Sequence, residues 1–164
     1  MVALIWLVFA INPFIGMIFV IFGLYKDRKN VTHYSVMIAL FFASLAYWFI
    51  PDHEMDLTRY FLQLSVFKNF SWTEFINTII PKNTLYLQNL LFYVIAKTGN
   101  FHLLPAVVIF ITYFLTIYMV TDYSNRKEIK SKKMVRVIIF IICVLPFPSL
   151  VSNIRNILSF VIFM

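Results

Sequence analysis

The chain has 164 residues, of which 62% are hydrophobic and 13% charged, and it carries a net charge of +7. Soluble domains are typically about 45–50% apolar and about 25% charged, so this composition excludes a water-soluble single domain. A single Cys, 3 Gly and 6 Pro exclude disulfide-stapled and collagen-like chains, and no nucleic-acid-binding motif accompanies the positive charge. The composition therefore predicts an all-α polytopic membrane protein without a nucleic-acid partner.

Four apolar segments are predicted to cross the membrane, because a spanning helix needs about 20 mainly apolar residues. They lie at about 2–25, 32–50, 102–121 and 137–151. Asn12-Pro13 is predicted to kink the first of them without ending it. We expect the whole chain to form one transmembrane domain, with an amphipathic region at 51–100.

The chain ends in an apolar segment that is too short to span. Pro146 and Pro148 break the fourth span, and Ser152-Asn153 then gives a capping signal for an incomplete helix that runs from 153 to Met164. A terminus buried in mid-bilayer would leave polar groups in hydrocarbon at a cost of several kcal/mol. We therefore expect this sequence to be the N-terminal portion of a longer protein.

The basic residues predict the orientation of the chain in the membrane. Nine of the 14 Lys and Arg lie in two turns, at 26–30 and 126–136. Such residues favour cytoplasmic loops, so both turns are predicted to be cytoplasmic and the N-terminus extracytoplasmic. An even number of spans must then separate the turns, and the short apolar stretch 84–96 should lie on the outer surface. The alternative, in which 84–96 crosses, places the six-charge turn outside.

The outer region opens with a predicted amphipathic helix. One arc of this helix holds Asp52, Asp56, Arg59, Tyr60 and Gln63. The neighbouring arc is apolar and holds Leu57, Phe61 and Leu64. The polar arc either faces an enclosed site or is a solvated face, on which an Asp56–Arg59 pair is worth about 0.2–0.5 kcal/mol. A metal site that combines His53 with neighbouring carboxylates is a further open alternative.

Arg155 is the second candidate site residue. It stands at the predicted start of a helix, where free N–H groups and a guanidinium together suit a phosphate or pyrophosphate. The alternative is an Arg that snorkels to the interface. The predicted topology places Arg155 on the same membrane face as Asp56 and Arg59.

Two short motifs carry a resemblance to a known family. Asp56-x-x-Arg59-Tyr60-Phe61 in an aromatic-rich outer helix, with Ser152-Asn153-Ile154-Arg155 opening a later helix, resembles EpsG-like, Wzy-type polysaccharide polymerases. The resemblance covers most of this chain and about the N-terminal half of a full family member. It implies a helical bundle of the membrane-embedded (GT-C) glycosyltransferase type in the bacterial inner membrane, which extends glycans carried on undecaprenyl diphosphate.

The same resemblance implies site residues and partners. Asp56, Arg59 and Arg155 would be catalytic, with Asp56 acting on the acceptor hydroxyl and the guanidinium groups stabilising the diphosphate leaving group. The implied substrate-binding residues are Tyr60, Asp52, Asn153 and Asn156. No cofactor or metal is implied. The implied partners are a polyprenyl-diphosphate-linked glycan and membrane lipid, with a flippase and a chain-length regulator as further candidates.

Two other functions fit the same sequence. One is a non-catalytic membrane subunit or transporter component of polysaccharide export, which would bind lipid-linked sugar without reacting it. The other is an inactive truncated remnant. The predicted spans carry no mid-depth Asp, Glu, Lys or Arg of the kind that ion-coupled transporters usually use.

Overall fold

The computed structural model describes residues 1–52, 55–79, 86–145, 147–154 and 156. These residues form helices and connecting turns, without a strand in the described ranges. The helices are α1 (Val2–Ile11), α2 (Pro13–Lys26), α3 (Val31–Tyr47), α4 (Asp56–Asn69), α5 (Trp72–Thr78), α6 (Tyr86–Thr98), α7 (Leu103–Arg126), α8 (Ser131–Val144) and α9 (Phe147–Ser152). A single turn of 3-10 helix, Arg28–Asn30, precedes α3. The predicted all-helical class is confirmed for this part of the chain.

Helices α3 and α7 form the central antiparallel pair. The rings of Phe42 and Tyr113 stack with centroids 4.1 Å apart, and the Asn100 amide donates a hydrogen bond of 2.7 Å to the Tyr47 hydroxyl. Buried residues of both helices, among them Ile38 and Ile109, fill the seam. We call the end at which α3 ends and α7 begins the Tyr47 end, and the opposite end the basic end.

Helix α7 is long and apolar enough to cross a membrane. Its 24 residues extend for about 36 Å, compared with a hydrocarbon core of about 30 Å. It contains the predicted span at 102–121 except for its first residue, His102, and continues five residues beyond it. Helices α1, α2 and α3 are apolar but have only 10, 14 and 17 residues. Among the described residues, one helix therefore passes the test for a membrane span.

The predicted continuous span at 2–25 is wrong, because the chain breaks at Asn12. Pro13 has no N–H to continue the helix, and the Asn12 side chain instead accepts hydrogen bonds from the N–H groups of Phe14 and Ile15. The chain then folds back on itself. A Cβ built on Gly16 would lie 2.5 Å from the Cα of Phe9, so α1 and α2 meet at their backbones.

The predicted span at 137–151 is also divided. Helix α8 begins six residues earlier, inside the basic run, and ends at Val144. Leu145 leaves the helical conformation (φ −92°, ψ 83°), because a following proline disfavours the helical conformation in the residue before it. Pro148 has no N–H to offer the Val144 carbonyl, so a separate helix, α9, begins at Phe147.

The region between α3 and α7 packs at the Tyr47 end. Helix α4 lies against α6, and Leu57 and Leu64 of its predicted apolar arc are fully buried. The Lys97 ammonium of α6 donates to the carbonyls of Lys68 (2.8 Å) and Phe70 (2.6 Å), which fixes the end of α4. Residues 48–102 thus begin and end at the same end of the central pair. The predicted outer position of 84–96, part of which lies outside the described residues, stays a prediction.

A tight turn joins α7 to α8 at the basic end. The N–H groups of Glu128 and Ile129 bond to the carbonyls of Asn125 and Ser124, at 3.2 and 2.9 Å, in the pattern of a Schellman motif. Glu128 has the left-handed conformation of that motif, with φ 52°, at a position that glycine usually occupies. This turn brings the start of α8 back alongside α7.

Candidate functional site

Helix α4 carries the first group of predicted site residues on an exposed face. Asp56 is its first residue, where a carboxylate is favoured by the helix dipole. The Arg59 Nη1 and Asp56 Oδ1 atoms are 3.4 Å apart, and the two side chains are 79% and 49% exposed. Solvated pairs of this kind are worth about 0–1 kcal/mol. Of the two predicted alternatives, the geometry is that of the solvated face.

Asp52 acts through its backbone at the start of α4. Its carbonyl accepts the Thr58 hydroxyl at 2.7 Å and the Met55 N–H at 3.1 Å, which anchors the loop in front of the helix. Its side chain is exposed. His53 and Glu54, which the predicted metal alternative requires, lie outside the described residues. Within the described ranges, no group of three or more His, Cys, Asp or Glu residues could hold a metal ion.

Tyr60 packs α4 onto α6. Its ring meets the ring of Phe92 edge to face with centroids 5.4 Å apart, and the residue is half-buried. Phe61 makes the neighbouring contact, with its ring 5.5 Å from that of His102 at the start of α7. The aromatic pair therefore joins three helices at the Tyr47 end.

The second predicted stretch is brought to the same end of the bundle, because α9 packs against α4. Asn153 is exposed in a turn after α9, and its N–H donates to the Ser149 carbonyl at 3.2 Å. Ile154 and Asn156 are helical after this turn, but most of the helix predicted from 153 lies outside the described residues, so the Ser152-Asn153 cap stays a prediction. Arg155 lies outside the described residues, so its anion contact stays a prediction.

Asn156 borders a feature that the sequence did not predict. An open groove of about 560 Å³ runs between α7 and α8, with Thr112 and Thr116 on one wall and Phe140 and Val144 on the other. Its surface is almost wholly apolar. The Thr112 hydroxyl does not project a free donor into it, since that group donates to the Val108 carbonyl at 2.8 Å. Asn156 adds a polar side chain to the lining, and α9 contributes Leu150.

Two buried polar atoms near the Tyr47 end were also not predicted from the sequence. His102 Nδ1 and Asn89 Nδ2 have no hydrogen-bond partner in the part of the chain that the structure describes. Asn89 is 3% exposed on α6, and the His102 ring lies 5.8 Å from the Tyr47 ring. An unpaired buried donor or acceptor costs about 1–3 kcal/mol. The only sequence signal for either residue was a polar side chain within an apolar stretch.

Comparison of the chain with protein-family models, with curated proteins and with solved structures returned no match. The resemblance to EpsG-like polymerases, and the site roles that it implies, therefore stay predictions. The described geometry brings α4 and α9 into contact near the Tyr47 end, and Asn156 lines the α7–α8 groove.

Proposed function

We propose that this protein is a multi-pass membrane glycosyltransferase that extends bacterial surface polysaccharide from glycans linked to undecaprenyl diphosphate. In this proposal the N-terminus and the Tyr47 end lie outside the cytoplasmic membrane, and the two basic turns lie inside. The observation that carries the proposal is the packing of α9 against α4, together with an apolar groove that Leu150 of α9 and Asn156 line.

The groove suits the lipid part of such a substrate. Its volume of about 560 Å³ falls within the range of about 300–1,000 Å³ that is common for ligand pockets. Its apolar walls would hold part of the isoprenoid chain, while the diphosphate would lie near Asn156. The polyprenyl chain would thus select the position of the reacting sugar relative to α4 and α9.

The charged residues would act on the headgroup. Arg59 would approach the diphosphate after exchanging its solvated contact with Asp56, a contact weak enough to be broken on binding. Asp56 would then be released to orient or deprotonate the acceptor hydroxyl. Arg155 would stabilise the charge that builds on the leaving diphosphate. Asp52, Asn153 and Asn156 would bind polar groups of the substrate, and Tyr60 would border the sugar.

A second candidate function is a non-catalytic subunit that binds lipid-linked glycan during export. The exposure of the Asp56–Arg59 pair favours it, because a binding surface has no need to exclude water whereas an enclosed catalytic centre usually does. The two candidates share the lipid groove and differ in whether Asp56 takes part in bond formation.

The test uses a host strain whose surface polysaccharide depends on this protein. Asp56→Asn and Arg59→Gln should abolish the polymer ladder at unchanged protein level, whereas Lys68→Gln, on an exposed part of the same helix, should leave it intact. Arg155→Lys should fail like Arg155→Ala if the guanidinium binds in a bidentate manner. Wild-type ladders from Asp56→Asn and Arg59→Gln would reject the catalytic roles. Retained binding of polyprenyl diphosphate by purified Asp56→Asn, with wild-type ladders, would favour the binding subunit.

A further inference from the structure

The positive charge of the chain is concentrated at the basic end. Residues 26–30 and 122–136 contain nine Lys and Arg against three Asp and Glu, and so supply six of the seven net charges. The antiparallel pairing of α3 with α7 brings these two stretches together, since one precedes α3 and the other follows α7. An anionic ligand at this end would therefore meet an attractive field from two separate parts of the chain.

A second apolar groove opens at this end. It has a volume of about 290 Å³ and is lined by Met119, Val120 and Tyr123 of α7 and by Met134 and Val137 of α8. The Schellman turn at Glu128 joins these two helices at the basic end. The walls are almost wholly apolar, so the groove matches a hydrocarbon chain better than a polar ligand.

Lys133 supplies a charge at the same groove. It lines the groove from the first turn of α8, and its side chain is exposed. Of the three acidic side chains at this end, Asp122 pairs with Arg126 at 2.8 Å and Asp27 accepts the Asn30 amide at 2.8 Å. The third, Glu128, lies in the turn and does not line the groove. Lys133 itself makes no ion pair within the described ranges. The groove thus offers an unneutralised cation beside an apolar channel.

We propose that this groove binds an anionic phospholipid, with the lipid phosphate at Lys133 and one acyl chain between α7 and α8. Charge complementarity favours this occupant, because a zwitterionic lipid of the same chain length brings no net charge to the basic end. Anionic lipids are also the ones that attract Lys and Arg clusters next to membrane helices. The site is separate from the polymerase proposal, which concerns the Tyr47 end.

The headgroup contact is tested with two variants, each of which removes one positive charge. The full chain in detergent micelles is titrated with phosphatidylglycerol or phosphatidylcholine, and bound lipid is counted by native mass spectrometry. Lys133→Gln should weaken phosphatidylglycerol binding about fivefold, the effect of one Lys near a lipid surface. Lys127→Gln removes the same charge from the same turn but does not line the groove, and it should weaken binding less than twofold. Equal losses in the two variants would overturn the proposal.

The acyl contact is tested by filling the groove. Val137 and Ile139 are similarly exposed on α8, at 40% and 43%, but only Val137 lines the groove. Val137→Trp should reduce phosphatidylglycerol binding severalfold, whereas Ile139→Trp should leave it unchanged. Equal affinity for phosphatidylcholine, or displacement of phosphatidylglycerol by millimolar inorganic phosphate, would show that the groove does not select a lipid and would refute the inference.

Discussion

The backbone contact between α1 and α2 can be tested by adding one methyl group at Gly16. In Gly16→Ala, the new Cβ would lie 2.5 Å from the Cα of Phe9 and 2.8 Å from its Cβ. Carbon atoms in contact are normally about 3.5–4.0 Å apart, so the two helices must separate by about 1 Å or more. Because the closest atom belongs to the backbone, no rotamer change can relieve the clash.

The magnitude follows from two opposing effects. Overpacking typically costs about 1–3 kcal/mol, and a clash with a backbone atom, which no rotamer change relieves, falls in the upper part of that range, about 2–3 kcal/mol. Replacing glycine by alanine within a helix returns about 1 kcal/mol through intrinsic helix propensity. We therefore expect Gly16→Ala to lower the free energy of unfolding by about 1–2 kcal/mol. Since a protein of this size shifts by roughly 2–4 °C per kcal/mol, the midpoint should fall by several degrees.

The assay is thermal unfolding of the protein in detergent micelles, followed by circular dichroism at a helix wavelength. Ile18→Ala, on the exposed side of α2 with 69% exposure, serves as the control and should change stability by less than about 0.5 kcal/mol. Phe9→Ala combined with Gly16→Ala should not recover stability, because the contact with the Phe9 Cα remains. If Gly16→Ala is as stable as the wild type, α1 and α2 do not meet at their backbones, and the predicted continuous span regains support.

Three further predictions concern the turns and caps. Glu128→Gly should raise the free energy of unfolding by about 1 kcal/mol, because glycine takes the left-handed conformation without steric cost. Glu128→Gln, the control, should not raise it. Equal melting temperatures for the two variants would contradict this prediction. Lys97→Met should lower stability by about 1 kcal/mol through loss of the bonds to the Lys68 and Phe70 carbonyls, while Lys132→Met should change it by less than about 0.5 kcal/mol in the same melting experiment. Hydrogen bonds from the Ser71 N–H and hydroxyl hold the pKa of the Glu74 carboxyl below its ordinary value of 4.5. The capping box formed by Ser71 and Glu74 should therefore stabilise α5 fully above about pH 4.5, and this stabilisation should be lost as the pH falls through the lowered pKa. An NMR titration of the Glu74 carboxyl carbon with an ordinary midpoint would refute this prediction.

The spacing and length of apolar segments were enough to predict α4 and α7 from the sequence. The spacing of Leu57 and Leu64 identified the buried side of α4, since residues seven apart lie on one helix face. The long apolar run at 102–121 identified α7, because a spanning helix needs about 20 mainly apolar residues. Asp56 and Arg59 were expected to approach each other at i, i+3 spacing, and they do.

The rest depended on contacts between distant residues. Asn12-Pro13 signals a helix break, but the direction of the chain afterwards is set by the fit of Gly16 against Phe9. Pro146 and Pro148 indicated that α8 must end, yet each proline acts on the residues before it, so α8 ended earlier than predicted. The two grooves arise where α7 and α8 do not pack closely, and no single-helix pattern contains that information.

The hydrogen bond between Tyr47 and Asn100 joins residues that are 53 positions apart in the chain, at the end of α3 and just before α7. During synthesis at about 5–20 residues per second, α3 is completed several seconds before the first turn of α7 exists. For that interval the face of α3 that carries Phe42, whose ring stacks on Tyr113 of α7 in the finished fold, has no α7 to cover it. The nascent chain therefore has to hold this surface against lipid or a chaperone until its partner helix arrives, and slower translation of residues 48–102 would lengthen the exposure.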